Sequence, residues 1–314
     1  MILTLTANPS LDRTITIDGA LRPGEVQLAS AAREDAGGKG INVSRVAAAA
    51  GVPTLAVLPL AADDPFDIAL RAAAVPVQRV PVHGHARANV AITDADGTTT
   101  KLNLPGAALT SDEAADVIRA VVAAAAGARW LVLAGSLPPG VGDDFYVEVV
   151  RAVRTAHGAT APLIAVDTSG AALRAVVETA HPDLIKPNDE ELEELAGVEL
   201  GDGDLAEAVL RVARTLVPSS VGAALVTLGS RGAVLVDADG AWIGTPPPIR
   251  VASTVGAGDS SLAGFLIAAS VRAAPEERLR RAIRYGAAAA SLPGTQAPTP
   301  ADLPPGDVPI TRLA

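Results

Sequence analysis

The chain has no cysteine, which excludes disulfide frameworks, cysteine-based zinc sites and thiol nucleophiles. Lysine is nearly absent as well: of 25 basic residues only three are lysine, Lys39, Lys101 and Lys186. A genomic bias towards arginine accounts for that rarity, but not for where the survivors sit, in "AGGKGIN", "TKLN" and "IKPN". No apolar run is long and uncharged enough to span a bilayer, and the opening "MILTLTANPSLD" lacks the basic flank of a signal peptide. A cytoplasmic protein with no membrane partner is the expectation. An excess of positive charge is also missing. The formal net charge of −10 argues against a general nucleic-acid surface, so any anionic metabolite must be met by a few basic side chains and helix N-termini.

What is present points to a large α/β core. The 314 residues are 49% hydrophobic, enough for one large domain or two small ones. "ILTLT" and "TLAVLPL" read as buried strands, and "TITID" alternates as a sheet edge or hairpin does. Residues 88–93 and 98–104, joined by Asp96-Gly97, read as a hairpin. From Ser111 onward helices alternate with the strands "WLVLAG", "LIAVD", "DLIK" and "AALVTLG", and helices over 257–271 and 275–292 close the pattern. Alternation of this kind implies a mostly parallel sheet covered by helices on both faces, with ligands at the carboxyl ends of its strands. The early hairpins form a small β appendage, and the proline-rich stretch after Gly294 reads as a surface segment. No internal repeat or linker divides the chain.

Two common nucleotide motifs fail. A P-loop needs Gly-Lys followed by Ser or Thr, but Lys39 is followed by Gly40. A dinucleotide fingerprint needs glycine at its sixth position, where "GKGINV" has Val43.

The strongest local signal is "STVGAGDSSLAGF", in which Gly256, Ala257 and Gly258 precede Asp259 and an apolar helical run. The ordinary reading is a helix start with an acid in its first turn. The active reading is that the loop amides stabilise charge on a moving phosphoryl group while Asp259 accepts a proton from an attacking hydroxyl. In "KPNDEE", Asn188 and Glu191 fit a capping box, and equally a water-mediated hold on Mg²⁺ with Lys186 near nucleotide phosphates. "AGGKGIN" is a tight turn before a helix, or a place where backbone and Asn42 approach a polyhydroxy ligand. Asp12, Arg87, Lys101 and Asn103 lie near the expected hairpins, where solvated strand residues need no function. His83-Gly84-His85 lacks a third metal ligand and reads as a surface turn.

Taken together, "AGGKGINVSRVAAAAG", "KPNDEE" and "STVGAGDSSLAG" resemble, in order and separation and over nearly the whole chain, the PfkB branch of the ribokinase-like carbohydrate kinases. The resemblance implies a single doubly wound α/β domain over 1–314 and a small β-sheet lid from roughly 9–36 and 86–106, which commonly mediates homodimerisation. It implies Asp259 as catalytic base, Gly256 to Gly258 as an anion hole, and Asn188 and Glu191 as the magnesium–phosphate group. Lys186, Asn188, Thr227, Gly229, Gly232 and Thr254 would face ATP. "NPSLD", "GGKGINV" and "RANV" resemble the phosphosugar branch, in which Asp12, Gly38, Lys39 and Asn42 would hold the sugar, while Lys39 and Arg87 would help bind its phosphate. Lys101 and Asn103 count as further substrate candidates. Fructose 1-phosphate is the leading acceptor, tagatose 6-phosphate and fructose 6-phosphate are alternatives, and a catalytically silent nucleotide or sugar-phosphate sensor is the reading from another class. ATP and Mg²⁺ are implied, with a monovalent cation as a further candidate. The chain departs from the family between Leu60 and Val75, where "AADDPFDIALRAAA" replaces a glycine-rich turn and a fuller helix.

Overall fold

The computed structural model describes residues 1–201 and 203–313; Asp202 and Ala314, the latter the end of the expected 1–314 domain, lie outside the described residues. Strand β1 (Ile2–Leu5) is followed by β2 (Ser10–Ile17) and β3 (Ala29–Gly37), then α1 (Lys39–Ala49), β4 (Thr54–Leu60), α2 (Phe66–Ala72) and β5 (Val77–Pro81). The hairpin β6 (Arg87–Thr93) and β7 (Thr99–Asn103) comes next. The regular part runs α3 (Ser111–Ala124), β8 (Trp130–Ala134), α4 (Phe145–His157), β9 (Leu163–Asp167), α5 (Gly170–Thr179), β10 (Leu184–Ile185), α6 (Asp189–Ala196), α7 (Leu205–Leu216) and β11 (Ala223–Thr227). It ends with β12 (Ala233–Asp237), β13 (Ala241–Gly244), α8 (Ala257–Ser270), α9 (Pro275–Ser291) and β14 (Ile310–Arg312).

Among the described residues these strands form a ten-stranded sheet in the order β14-β13-β12-β11-β10-β9-β8-β1-β4-β5 and a four-stranded sheet in the order β3-β2-β6-β7. The large sheet is parallel from β11 to β5, because every crossover there carries a helix or the small sheet, and antiparallel at the β12–β14 end. Its inner parallel strands are largely apolar runs without alternation, as burial on both faces demands, whereas the edge strand β5 carries Gln78 and Arg79. Leu131 and Leu133 of β8 point to the core under α3, α4, α5 and α7, whereas Trp130 and Val132 point to that under α1, α8 and α9. A third cluster seats Phe66 and Leu70 of α2 against Ile41 and Leu58. The fold is thus the expected doubly wound α/β sandwich with a small separate β-sheet. No helix among the described residues is long and apolar enough to cross a membrane.

Three local readings change. Of the two readings of "TITID", the hairpin holds and the edge does not: residues 14–17 lie in β2, which pairs antiparallel with β3 and is an inner strand of the small sheet. The β3, β5 and β12–β14 strands escape the helix–strand rhythm because they are exposed, short or antiparallel. The stretch after Gly294 is more than surface: Val308 is fully buried and β14 pairs with β13, extending the sheet at its edge.

Candidate active site

A cavity of about 950 Å³ opens at the carboxyl ends of the strands, between the large sheet, the small sheet and the first turn of α8. Its size falls within the range of small-molecule sites. The site grows from strand ends and helix starts: Lys186 and Asn188 follow β10, Thr227 ends β11, and Gly38, Lys39 and Asn42 open α1. Gly256 is the N-cap of α8 with φ 75°, a left-handed conformation open to glycine at little cost, and no side chain caps the helix. The leading N–H groups of α8 therefore face the cavity without intrahelical acceptors, an anion site by construction.

Asp259 lies in that first turn, almost entirely buried. Asn42 Nδ2 donates a 2.8 Å hydrogen bond to Asp259 Oδ2. Burial, reinforced by the nearby Asp167 carboxylate, pushes the Asp259 carboxyl up to about 6, against the opposing pull of Lys39, Asn42 and Lys186. A carboxyl in this range ionises just below neutral pH and accepts a proton readily.

Behind it Asp167, at the end of β9 and without solvent exposure, joins two ammonium groups. Lys39 Nζ donates to Asp167 Oδ1 at 2.8 Å, and Lys186 Nζ lies 3.2 Å from Oδ2 as an ion pair outside hydrogen-bonding angles. Burial works against the Asp167 charge, but Lys186 and Lys39 outweigh it and hold the carboxyl below the usual carboxylate range. Burial likewise presses the Lys39 ammonium down, and Asp167 more than reverses this.

The small sheet adds a polar cluster. Asp12 Oδ1 accepts from Ser10 Oγ at 2.7 Å and from Asn89 Nδ2 at 2.9 Å, because β2 and β6 run parallel with Asp12 opposite Asn89. Burial raises the Asp12 carboxyl despite these bonds. Arg87 lines the same end. The carbonyl oxygens Asn42 Oδ1 and Asn89 Oδ1 are buried without a partner, as is Arg87 Nε, so the cluster retains hydrogen-bonding capacity for a polar ligand.

On the other side, Asn188 Oδ1 accepts from the Glu191 N–H at 2.6 Å while Glu191 Oε2 accepts from the Asn188 N–H at 3.0 Å, a complete capping box. The box uses one oxygen of Glu191 and one of the two acceptor positions of Asn188 Oδ1, and both residues line the cavity. A parallel bridge between Asn188 and Thr227 ties this turn to the end of β11.

The cavity collects Asp12, Gly38, Lys39, Asn42, Arg87, Lys186, Asn188, Glu191, Thr227, Gly229, Gly232, Thr254 and the Gly256–Asp259 turn. Two candidates stay outside: Lys101 and Asn103 lie on β7, an edge strand exposed along its length. Among the polar residues of the site that were not singled out from the sequence, three hold its hydrogen-bonded clusters. Asn89 sits in the quoted "RANV", Asp167 ends the strand "LIAVD", and Ser10 falls in "NPSLD"; each has a signal in its segment but none in its own residue type.

A doubly wound sheet with helices on both faces, a small second sheet beside its carboxyl edge, and a glycine turn presenting helix amides next to a buried carboxylate define a ribokinase-like sugar kinase architecture. The chain belongs to the pfkB family of carbohydrate kinases, whose model matches residues 6–302. It is 37% identical over 306 residues to the 1-phosphofructokinase of Rhodobacter capsulatus, covering 95% of this chain and 93% of that one. It is 34% identical over 299 residues to ATP-dependent 6-phosphofructokinase isozyme 2 of Escherichia coli K12, with 94% of each chain covered. The crystal structure of Escherichia coli phosphofructokinase-2 in complex with substrates and products superposes with a TM-score of 0.88 at 33% identity, over 96% of each chain.

Proposed function

We propose that this kinase transfers the γ-phosphoryl group of ATP to the free hydroxymethyl group of fructose 1-phosphate, giving fructose 1,6-bisphosphate and ADP. The observation that carries this reading is the buried Asp259 carboxylate, raised to about 6, beside the helix amides of the Gly256 turn and facing the polar cluster of the small sheet. The similarity to a 1-phosphofructokinase favours this acceptor.

Ser10, Asp12, Asn42 and Asn89 orient the sugar hydroxyls, and Arg87 with Lys39 meets the phosphate already on the sugar. Asp259 takes the hydroxyl proton as the new O–P bond forms and the bond from the γ-phosphorus to the bridging oxygen breaks, releasing ADP. The amides of Gly256, Ala257 and Gly258 and the Lys186 ammonium receive the charge that spreads over the transferring group. Magnesium fits as a lightly held ion: Glu191 offers one uncommitted carboxylate oxygen, and no group of three or more acidic or histidine ligands exists among the described residues. When bound with the nucleotide, it neutralises phosphate charge. The small sheet acts as a lid that shields the reacting groups from water, and the exposed Val26 and Leu28 of the β2–β3 connection, with Leu102 of β7 and Leu104 just after it, support pairing with a second copy.

Fructose 6-phosphate is the second reading, favoured by the similarity to the Escherichia coli 6-phosphofructokinase isozyme. The test is ADP release with MgATP across fructose 1-phosphate, fructose 6-phosphate and tagatose 6-phosphate. The highest kcat/KM with fructose 1-phosphate supports the assignment. Preference for another sugar phosphate moves the substrate and keeps the chemistry, while nucleotide binding without turnover on any acceptor would mark a sensor.

A further inference from the structure

The compact stretch from Leu60 to Val75 contributes no residue to the cavity lining among the described residues, yet it carries a buried carboxylate, Asp64, only 5% exposed. Asp64 Oδ1 accepts from the Phe66 N–H at 2.9 Å, which fixes the entry into α2. Asp64 Oδ2 accepts from the Ala86 N–H at 2.6 Å, across 22 positions of chain. A carboxylate suits this place because both of its oxygens accept and each faces a backbone donor.

Ala86 is the last residue before β6. The parallel ladder with β2 begins one residue later, pairing Ser10 with Arg87 and, two rungs on, Asp12 with Asn89. Strand alternation turns Ala86 to the apolar cluster of Phe66, Leu70 and Ile41 and turns Arg87 to the cavity. Asn89 is held independently by its own bond to Asp12. Arg87 has no comparable anchor: its Nε is buried without a partner, and Nη1 donates to the Leu104 carbonyl at a long 3.4 Å. The place of the guanidinium is therefore set by its backbone, at the first rung of a ladder whose preceding N–H is held by Asp64.

We propose that Asp64 is a positioning residue for the acceptor: by holding the Ala86 N–H it places Arg87 to meet the phosphate that the sugar already carries. The proposal rests on the kinase reading above, in which Arg87 is a partner of that phosphate. Asp64 touches neither substrate, so its effect passes through Arg87 and is confined to the acceptor.

The experiment measures kcat and both KM values for Asp64→Asn, Arg87→Ala and the double variant, with thermal unfolding as the check of folding. Asparagine keeps one acceptor for the Phe66 N–H and turns an amino group on the Ala86 N–H, donor against donor. In Asp64→Asn the KM for fructose 1-phosphate is expected to rise about tenfold, while kcat and the KM for MgATP change less than about twofold. In the Arg87→Ala background the same substitution should add less than about twofold, because the group it places is gone. A full tenfold rise in that background, equal changes in both KM values, or no change in either overturns the proposal. Asp64→Ser, which keeps a hydroxyl for the Phe66 N–H and leaves room for water at the Ala86 N–H, carries the same comparison if the asparagine variant does not fold. If Arg87→Ala alone leaves the KM for every sugar phosphate unchanged, the functional reading of Arg87 fails and the proposal falls with it. If no sugar phosphate is turned over, dissociation constants of fructose 1-phosphate and fructose 6-phosphate from calorimetry replace KM in the same comparison, with the same limits.

Discussion

Asn42 and Asp259, 217 positions apart, meet through a 2.8 Å hydrogen bond that joins the first turn of α1 to the first turn of α8. The bond fixes one carboxylate oxygen, and in the proposed mechanism the other takes the acceptor proton. It also favours the ionised form of Asp259, opposing the burial that raises its pKa. Asn42→Ala is therefore expected to move the acidic limb of the kcat/KM profile upward by about one pH unit, the size of a charge-assisted hydrogen bond of roughly 1.5 kcal/mol. An unchanged limb would show that the bond does not act on the titrating group.

In the unaltered protein the acidic limb of kcat/KM should lie near pH 6, because the base must be unprotonated and Asp259 is raised to about 6. Asp167→Asn should shift that limb downward, since removing one negative charge makes the second easier to form. The same substitution strips Lys39 and Lys186 of their buried counterion, and unfolding titrations should show a loss of about 3–5 kcal/mol.

Gly37 stands against Asp12, and a side chain there would overlap the Asp12 carboxylate. Gly37→Ala is expected to raise KM for the sugar phosphate while leaving KM for ATP near its original value, because the displaced cluster lies at the small-sheet end. Equal changes in both constants would contradict the placement of the acceptor.

Val308 tests the reading of the C-terminal stretch. Val308→Ala should lower stability by about 1–3 kcal/mol in denaturant unfolding, as for a core valine, whereas a surface position would change it by less than roughly 0.5 kcal/mol.

The sequence exposed the parallel half of the fold well, because βα units buried on both faces write themselves as apolar strands between amphipathic helices. It exposed the glycine turn and the capping box for a similar reason: both are local, and their chemistry sits within a few consecutive residues. Asp167 was hidden since its role comes from Lys39 and Lys186, which arrive from 128 positions upstream and from the adjacent strand. Asn89 was hidden because only the parallel register of β2 and β6 places it opposite Asp12. Lys101 and Asn103 show the converse, being polar and near the right hairpin but placed on its exposed outer strand, away from the cavity lining. Asn188 lines the site, and its side-chain oxygen also accepts one bond from the helix it caps.

The most direct measurement of the central claim is the turnover of Asp259→Asn with MgATP and fructose 1-phosphate, taken beside its thermal unfolding at pH 7.5. Because the native fold raises the Asp259 pKa, ionising that group as pH rises through about 6 weakens the native state, so the neutral variant should be at least as stable as the parent at this pH. Its kcat should fall by about 10²–10⁴ with the fold intact. Turnover close to that of the parent in the folded variant would contradict Asp259 as the base and with it the mechanism.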